Sequence, residues 1–303
     1  MTPPKPARWL LLLAFAAVYL LWGSTYLAIK YAIATMPPLL MAGARFLLAG
    51  TILALVGRAS AAYQKPTLAQ WRTSFVVGGL LLLGGNGMVV LAERTLPSSL
   101  AALLIASEPF WIVILGWLWL HGERPGWKVV LGLVLGFVGV YLLVGEQLTT
   151  GASHAQLAGV GLVLLAAFSW AAGSIYGLRA PVPKSPVLAS GMQMLAGGAL
   201  LLLLGTATGE WRGLHPGSFG LAAWLGWGYL VVFGSLVAFT AYSWLLQHAP
   251  PARVATYAYV NPVVAVLLGW ATLGEKLTAQ MLVGAAVIVG SVVLITTQQK
   301  KQG

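Results

Sequence analysis

Residues 96–123 read LPSSLAALLIASEPFWIVILGWLWLHGE, and residues 249–275 read APPARVATYAYVNPVVAVLLGWATLGE. Leu96-Pro97 matches Ala249-Pro250, Glu108-Pro109 matches Asn261-Pro262 and Gly116-Trp117 matches Gly269-Trp270, all at an offset of 153. After a one-residue gap, Gly122-Glu123 matches Gly274-Glu275. Upstream, Gly23-Ser24-Thr25-Tyr26 answers Gly173-Ser174-Ile175-Tyr176, and Leu48-Ala49-Gly50 answers Leu195-Ala196-Gly197. Each match is weak alone. Their common order and near-constant offset mean that one unit is written twice, as residues 1–146 and 147–303.

The unit is a set of membrane spans. Of the 303 residues, 59% are hydrophobic and only 8% are charged, against about 25% charged in a soluble domain. Trp9–Ile29 is free of charge and, at about 1.5 Å per residue, roughly 31 Å long. It is too long for a signal-peptide core. Further spans are expected near Pro38–Gly57, Trp71–Ala92, Pro97–Leu120, Trp127–Gly145, Leu157–Leu178, Pro186–Gly205, Phe219–Leu246, Ala252–Leu273 and Thr278–Thr297. The fold class is therefore an all-α polytopic membrane protein of ten transmembrane helices. Five spans per unit, an odd number, turn the two copies over, giving inverted repeats.

The 17 Lys and Arg residues set the orientation. With the N-terminus inside, twelve fall on inside segments: Lys5, Arg8, Arg58, Lys65, Arg72, Arg124, Lys128, Arg179, Lys184, Arg253, Lys300 and Lys301. Lys30, Arg94, Arg212 and Lys276, four in all, fall outside, and Arg45 lies within a span. This positive-inside bias places both termini in the cytoplasm. The net charge of +11 is thus a topology signal and not a nucleic-acid footprint. Trp9, Trp71, Trp127 and Trp211 stand near span ends, as an interfacial belt requires.

Inverted repeats with Pro- and Gly-interrupted spans point to a secondary transporter with a midplane site. The chain resembles the drug/metabolite transporter superfamily in its EamA-type branch, on Trp22-Gly23-Ser24-Thr25-Tyr26, the Glu108-Pro109 span and the two Gly-Glu turns. The subgroup it looks most like is the bacterial aromatic amino-acid exporters. The resemblance implies export of amino acids and related small metabolites across the bacterial inner membrane. It further implies a central cavity lined by the first, third, fourth, sixth, eighth and ninth helices, with the fifth and tenth outside as scaffold. Independently, Gly132, Gly136 and Gly139 give span five a small-residue face for helix contact or a homodimer through spans five and ten.

Polar and aromatic residues at membrane depth nominate the site. Glu108 is the one acid deep within a span, and a charge there is costly. It can bind a proton, hold a substrate ammonium, or form an ion pair with Arg45, which the charge pattern favours. The second half replaces Glu108 by Asn261 and Arg45 by Met192, so both charges go together. Arg45 can instead receive a substrate carboxylate or snorkel. Pro109 and Pro262 free the carbonyls of Ile105 and Ala258 and are the expected gating joints. Asn86, flanked by Gly84, Gly85 and Gly87, suits either a ligand or a tight helix crossing. Lys30, at a span end, is expected to snorkel. Trp22, Tyr26, Trp111, Trp170, Tyr176, Tyr242, Tyr257 and Tyr259 supply walls for an amphipathic small molecule, although aromatics at such depth also face lipid or core.

Rival classes lack their parts. All six acids are Glu and there is no Cys, so aspartate-based Mg²⁺ motifs, thiolate metal sites and catalytic thiols are excluded. No Walker motif is present. His121, His154, His215 and His248 fall in or beside connections, away from haem-ligating depth. A non-enzyme without cofactor or metal is expected, whose partners are a small-molecule substrate and the lipid bilayer. Two alternatives stay open: a sugar-phosphate, nucleotide-sugar or drug exchanger of the same superfamily, and a structural or channel-like membrane protein.

Overall fold

The computed structural model describes residues 7–302 except 61–62, 121–124, 150, 250–253 and 255. The Gly122-Glu123 turn, His121, Arg124 and Arg253 therefore lie outside the described residues, as does the side chain of Tyr259. Among the described residues the regular structure is helical: α1 Arg8–Ile33, α2 Pro38–Ala59, α3 Leu68–Ala92, α4 Ser98–Ile105, α5 Glu108–Leu120, α6 Trp127–Thr149, α7 His154–Gly177, α8 Pro186–Ala207, α9 Leu221–Tyr229, α10 Ala238–His248, α11 Tyr257–Leu273 and α12 Ala279–Gln302. Among the described residues seven stretches are long and apolar enough to cross a membrane, and Trp127–Leu143, Val260–Leu273 and Ala279–Ile295 are shorter apolar helices. Helices are the available solution, because a backbone in lipid must satisfy its own hydrogen bonds. The chain is a polytopic membrane protein.

Two helix pairs are held by glycine. α2 and α8 each have 22 residues and each open on proline. Each also carries glycine every seventh residue, at Gly43, Gly50 and Gly57 and at Gly191, Gly198 and Gly205. A Cβ on Gly50 would stand 2.8 Å from the Leu195 amide nitrogen, and one on Gly191 would stand 2.7 Å from that of Ala54. Backbones cross here at distances that only glycine permits. The matching bounds align α2 with α8 at an offset of 148, so Arg45 answers Gln193 rather than Met192. α6 and α12 repeat the device. A Cβ on Gly139 would meet Gly284 O at 3.0 Å and one on Gly132 would meet Ser291 O at 3.1 Å, while Gly136 faces the ring of Phe110. The small face of predicted span five is used within the chain.

Four features position the site. Predicted span four breaks at Ala106-Ser107, just before Glu108-Pro109. The Phe110 amide turns back to Ser107 O at 3.0 Å, as expected where proline withholds a donor. α11, by contrast, continues through Pro262. α3 widens into a π-helix over Gly79–Gly87, and a second π-helix, Leu230–Val237, joins α9 to α10. Such wide turns cluster at functional sites. Finally, loop acids cap helix starts from far along the chain. Glu210 accepts from the Leu39 and Leu40 amides at 2.9 and 3.0 Å, and Glu275 accepts from the Ser98 amide at 2.7 Å. Both complement the positive end of a helix dipole, which gives the second Gly-Glu turn a structural task. Gly274 is left-handed at φ 65° and turns the chain so that Glu275 reaches α4.

Candidate functional site

A cavity of about 90 Å³ lies among α1, α2, α3, α4, the start of α5, α7, α10 and α11. One water needs about 15 Å³ on this measure, so there is room for several. α1 contributes Trp22, Thr25, Tyr26 and Ile29, spaced so that they share one helical face. Nine of the residues singled out by the sequence converge here: Trp22, Tyr26, Arg45, Asn86, Glu108, Trp170, Tyr257, Asn261 and Pro262.

Trp22 is the centre of the aromatic wall. Its ring stands 5.3 Å from Tyr257, 5.5 Å from Phe239 and 6.3 Å from Trp170, in edge-to-face arrangements. These are the favoured geometries for aromatic pairs. Its indole nitrogen donates to Gly234 O at 3.2 Å, a carbonyl of the second π-helix. Tyr242 stands 5.0 Å from Trp22 and buttresses the wall without lining the cavity. Trp170 fits because position 85 is glycine: a Cβ there would lie 2.7 Å from Trp170 Cε3.

The expected Arg45–Glu108 ion pair does not form in this conformation. Arg45 Nε donates to Ser235 Oγ at 2.8 Å, its guanidinium lies 4.6 Å from the Phe46 ring centre, and its buried Nη1 has no partner among the described residues. Glu108 instead accepts from the Tyr257 hydroxyl, 3.3 Å from either oxygen. Both charges face the one cavity with bonding capacity unspent. The Asn86 side-chain oxygen is likewise buried without a partner. Gly84 and Gly87 abut Ser169 and Leu201, so the glycines serve the crossing and the amide between them serves the cavity. Asn261, with its amide nitrogen turned to its neighbours, donates to Tyr19 O at 3.0 Å and Tyr257 O at 3.3 Å, tying α11 to α1.

Besides Tyr242, three of the expected residues do not line the cavity. Trp111 packs edge-on to Phe168 at 5.3 Å and Phe137 at 5.9 Å, two half-exposed rings on the outer surface. Tyr176 is exposed near the end of α7. Pro109 sits beside the cavity-lining Glu108 without lining the cavity itself. Helical position decides each case, because a span turns some of its aromatics outward. Sequence reading missed Phe46, Phe239 and Ser235, which carry no signal beyond ordinary span composition. It also missed Glu93, which is fully buried although it lies just past α3. Lys30 does not snorkel: its ammonium donates to Glu93 O and, at 2.7 Å, to Leu96 O.

The family model of EamA-like transporters matches the chain twice, over residues 8–145 and 157–297. The chain is 38% identical to the "uncharacterized inner membrane transporter YedA" of Escherichia coli (strain K12), over 93% of this chain and 89% of that one. It is 30% identical to the "uncharacterized transporter YvbV" of Bacillus subtilis (strain 168), over 99% and 94%. It is also 29% identical to a "probable amino-acid metabolite efflux pump" of Escherichia coli (strain K12), over 90% of each. A crystal structure of a protein 21% identical shares the fold, with a TM-score of 0.65 over 96% of this chain and 99% of that one.

Proposed function

Because the chain belongs to the EamA-like transporter family, we propose that it is a secondary exporter of amino acids or related small metabolites, with aromatic or large apolar ones favoured. Transport runs by alternating access around the central cavity. The observation that carries the substrate class is the cavity's polarity. Among the described residues, Arg45 ends in a buried nitrogen without a partner, and the Glu108 carboxylate is held by Tyr257 alone. The rings of Trp22 and Trp170 line the same cavity. An α-amino acid has a carboxylate for the first, an ammonium for the second and a side chain for the rings. The likeness to a probable amino-acid metabolite efflux pump supports the same class. Arg45 is the one cationic side chain among the described residues lining the cavity, a poor match for a doubly charged phosphate.

Ten spans in two inverted units, 1–146 and 147–303, with both termini cytoplasmic in the bacterial inner membrane, belong to this proposal. Support comes from the seven long and three shorter apolar helices, the twofold family match and the bias of the bases. The pairing of α2 with α8 and of α6 with α12 also fits, since each joins predicted spans of equal rank in the two halves. The test is counterflow in proteoliposomes over a panel of amino acids, with and without a pH gradient. Saturable, substrate-stimulated exchange of aromatic or branched members is expected. Folded protein that gives no saturable counterflow with any amino acid would overturn the reading.

A further inference from the structure

At one end of the bundle, groups distant in sequence meet around Glu93. Glu93 follows α3, Lys30 lies in the last turn of α1, and Glu275 follows the left-handed Gly274 after α11. Neither carboxylate oxygen of Glu93 reaches water or has a hydrogen-bond partner among the described residues. The ammonium of Lys30 is committed to backbone, at Glu93 O and Leu96 O. Glu275 is committed to Ser98 and Ser99, accepting from both amides and both hydroxyls. Tyr26 on α1 lies within electrostatic reach of Glu93, and Arg94 follows it in the chain. Among the described residues, Tyr26, Lys30 and Glu275 are the titratable groups that act on it, and Arg94 is its exposed chain neighbour.

A carboxylate without donors is costly to keep ionised away from water, and the neutral acid far less so. Burial pushes the Glu93 carboxyl up, Lys30 pulls it down, and Glu275 pushes it up again. We propose that Glu93 is a proton-binding site that holds its proton while this end of the bundle is shut and releases it to water as the end opens. Lys30 then leaves the two carbonyls to answer the new carboxylate. The proposal rests on the transporter reading in taking this end as one that opens. Tyr26 lines the cavity and is within electrostatic reach of Glu108 as well as Glu93, so the proton site adjoins the substrate site. By the positive-inside reading this end faces outward, so Glu93 exchanges its proton with the external medium, losing it on opening and taking one up on closing.

The chain has no cysteine, so a single Leu96→Cys, buried beside Lys30, reports opening through its reaction with a thiol reagent. In detergent the outcome is independent of sidedness and of substrate. Its labelling rate, divided by that of the exposed Ser153→Cys, is expected to rise with pH by up to about tenfold per pH unit, the slope of one linked proton, from the ordinary carboxylate value of about 4.3 upward, and to level off once the shut state has also lost its proton. Glu93→Gln, which mimics the protonated acid, should make the ratio low and flat. Amide exchange over residues 93–99 of the otherwise unaltered chain, corrected for intrinsic pH dependence, should show the same loss of protection, and it needs no foldable variant. A flat wild-type profile, or a slope that survives Glu93→Gln, overturns the proposal. An intact slope beside absent counterflow would overturn the transport reading and leave the proton site standing.

Discussion

Glu108→Gln and Arg45→Gln separate the two ends of the proposed substrate. In Glu108→Gln the side chain keeps its shape and still accepts from Tyr257. That contact is already long, at 3.3 Å, so fold stability should fall by no more than about 1 kcal/mol. A bound ammonium loses a charge-assisted partner worth about 1.5–3 kcal/mol, which is roughly 10- to 150-fold in affinity. Counterflow of three related ligands then divides the effect: an aromatic amino acid, its deaminated acid and its decarboxylated amine. Glu108→Gln should weaken the amino acid and the amine and spare the deaminated acid. Arg45→Gln should weaken the amino acid and the deaminated acid and spare the amine. The structure also bears on the double variant. Arg45 is bonded to Ser235 and Glu108 to Tyr257, with no ion pair between them, so their effects on abundance should add. Equal losses across the three ligands would refute the polarity argument. Recovery of abundance in the double variant would show that the two charges form a structural pair.

Three further outcomes test the frame around the site. Gly191→Val puts a branched side chain where even a Cβ stands 2.7 Å from the Ala54 amide nitrogen. It should lower thermal stability in detergent by about 1–3 kcal/mol or more, whereas Gly290→Ala, which meets nothing within 4 Å, should be neutral. For Glu275, burial raises the carboxyl, but the hydrogen bonds from Ser99 and Ser98 outweigh it and hold the group below the usual range. Its contribution is therefore full above the unfolded value of about 4.3 and is lost as pH falls through the depressed value. Amide protection at the start of α4 should decline in that acid window, and Glu275→Gln should lack the increment at neutral pH; a variant as protected as wild type would refute the capping role. Finally, Gln64→Cys and Ser185→Cys should label with an impermeant reagent only from the cytoplasm and Ser153→Cys only from outside; labelling of Gln64 and Ser153 from one side would reject the inverted arrangement.

What the sequence showed and what it hid have separate physical causes. Spans and their alternation are written in composition, because lipid contact constrains every residue of a helix face. The nine residues that meet at the cavity were legible as a group because polar and aromatic groups at membrane depth are few. Register was less legible. Matching Leu48-Ala49-Gly50 to Leu195-Ala196-Gly197 slips one residue from the offset of 148 that the bounds of α2 and α8 require. The glycine spacing of seven, at 43, 50 and 57 and again at 191, 198 and 205, would have corrected it. That correction also changes the argument about charge. Arg45 stands opposite the polar Gln193, so the second half keeps a hydrogen-bonding group at both positions, Gln193 and Asn261, and loses only the charges. Paired loss of charge no longer requires that the charges touch, and it fits two groups that each meet a different end of one ligand. The π-helices left no local signature. Their wide turns are held from outside, by Trp22 on Gly234 O and by Ser169 on Leu80 O. Glu93 and Lys30 were hidden for a related reason. Read along the chain, each ends a span and belongs to water, and only the folding together of α1, α3, α4 and the α11 turn buries the one and employs the other.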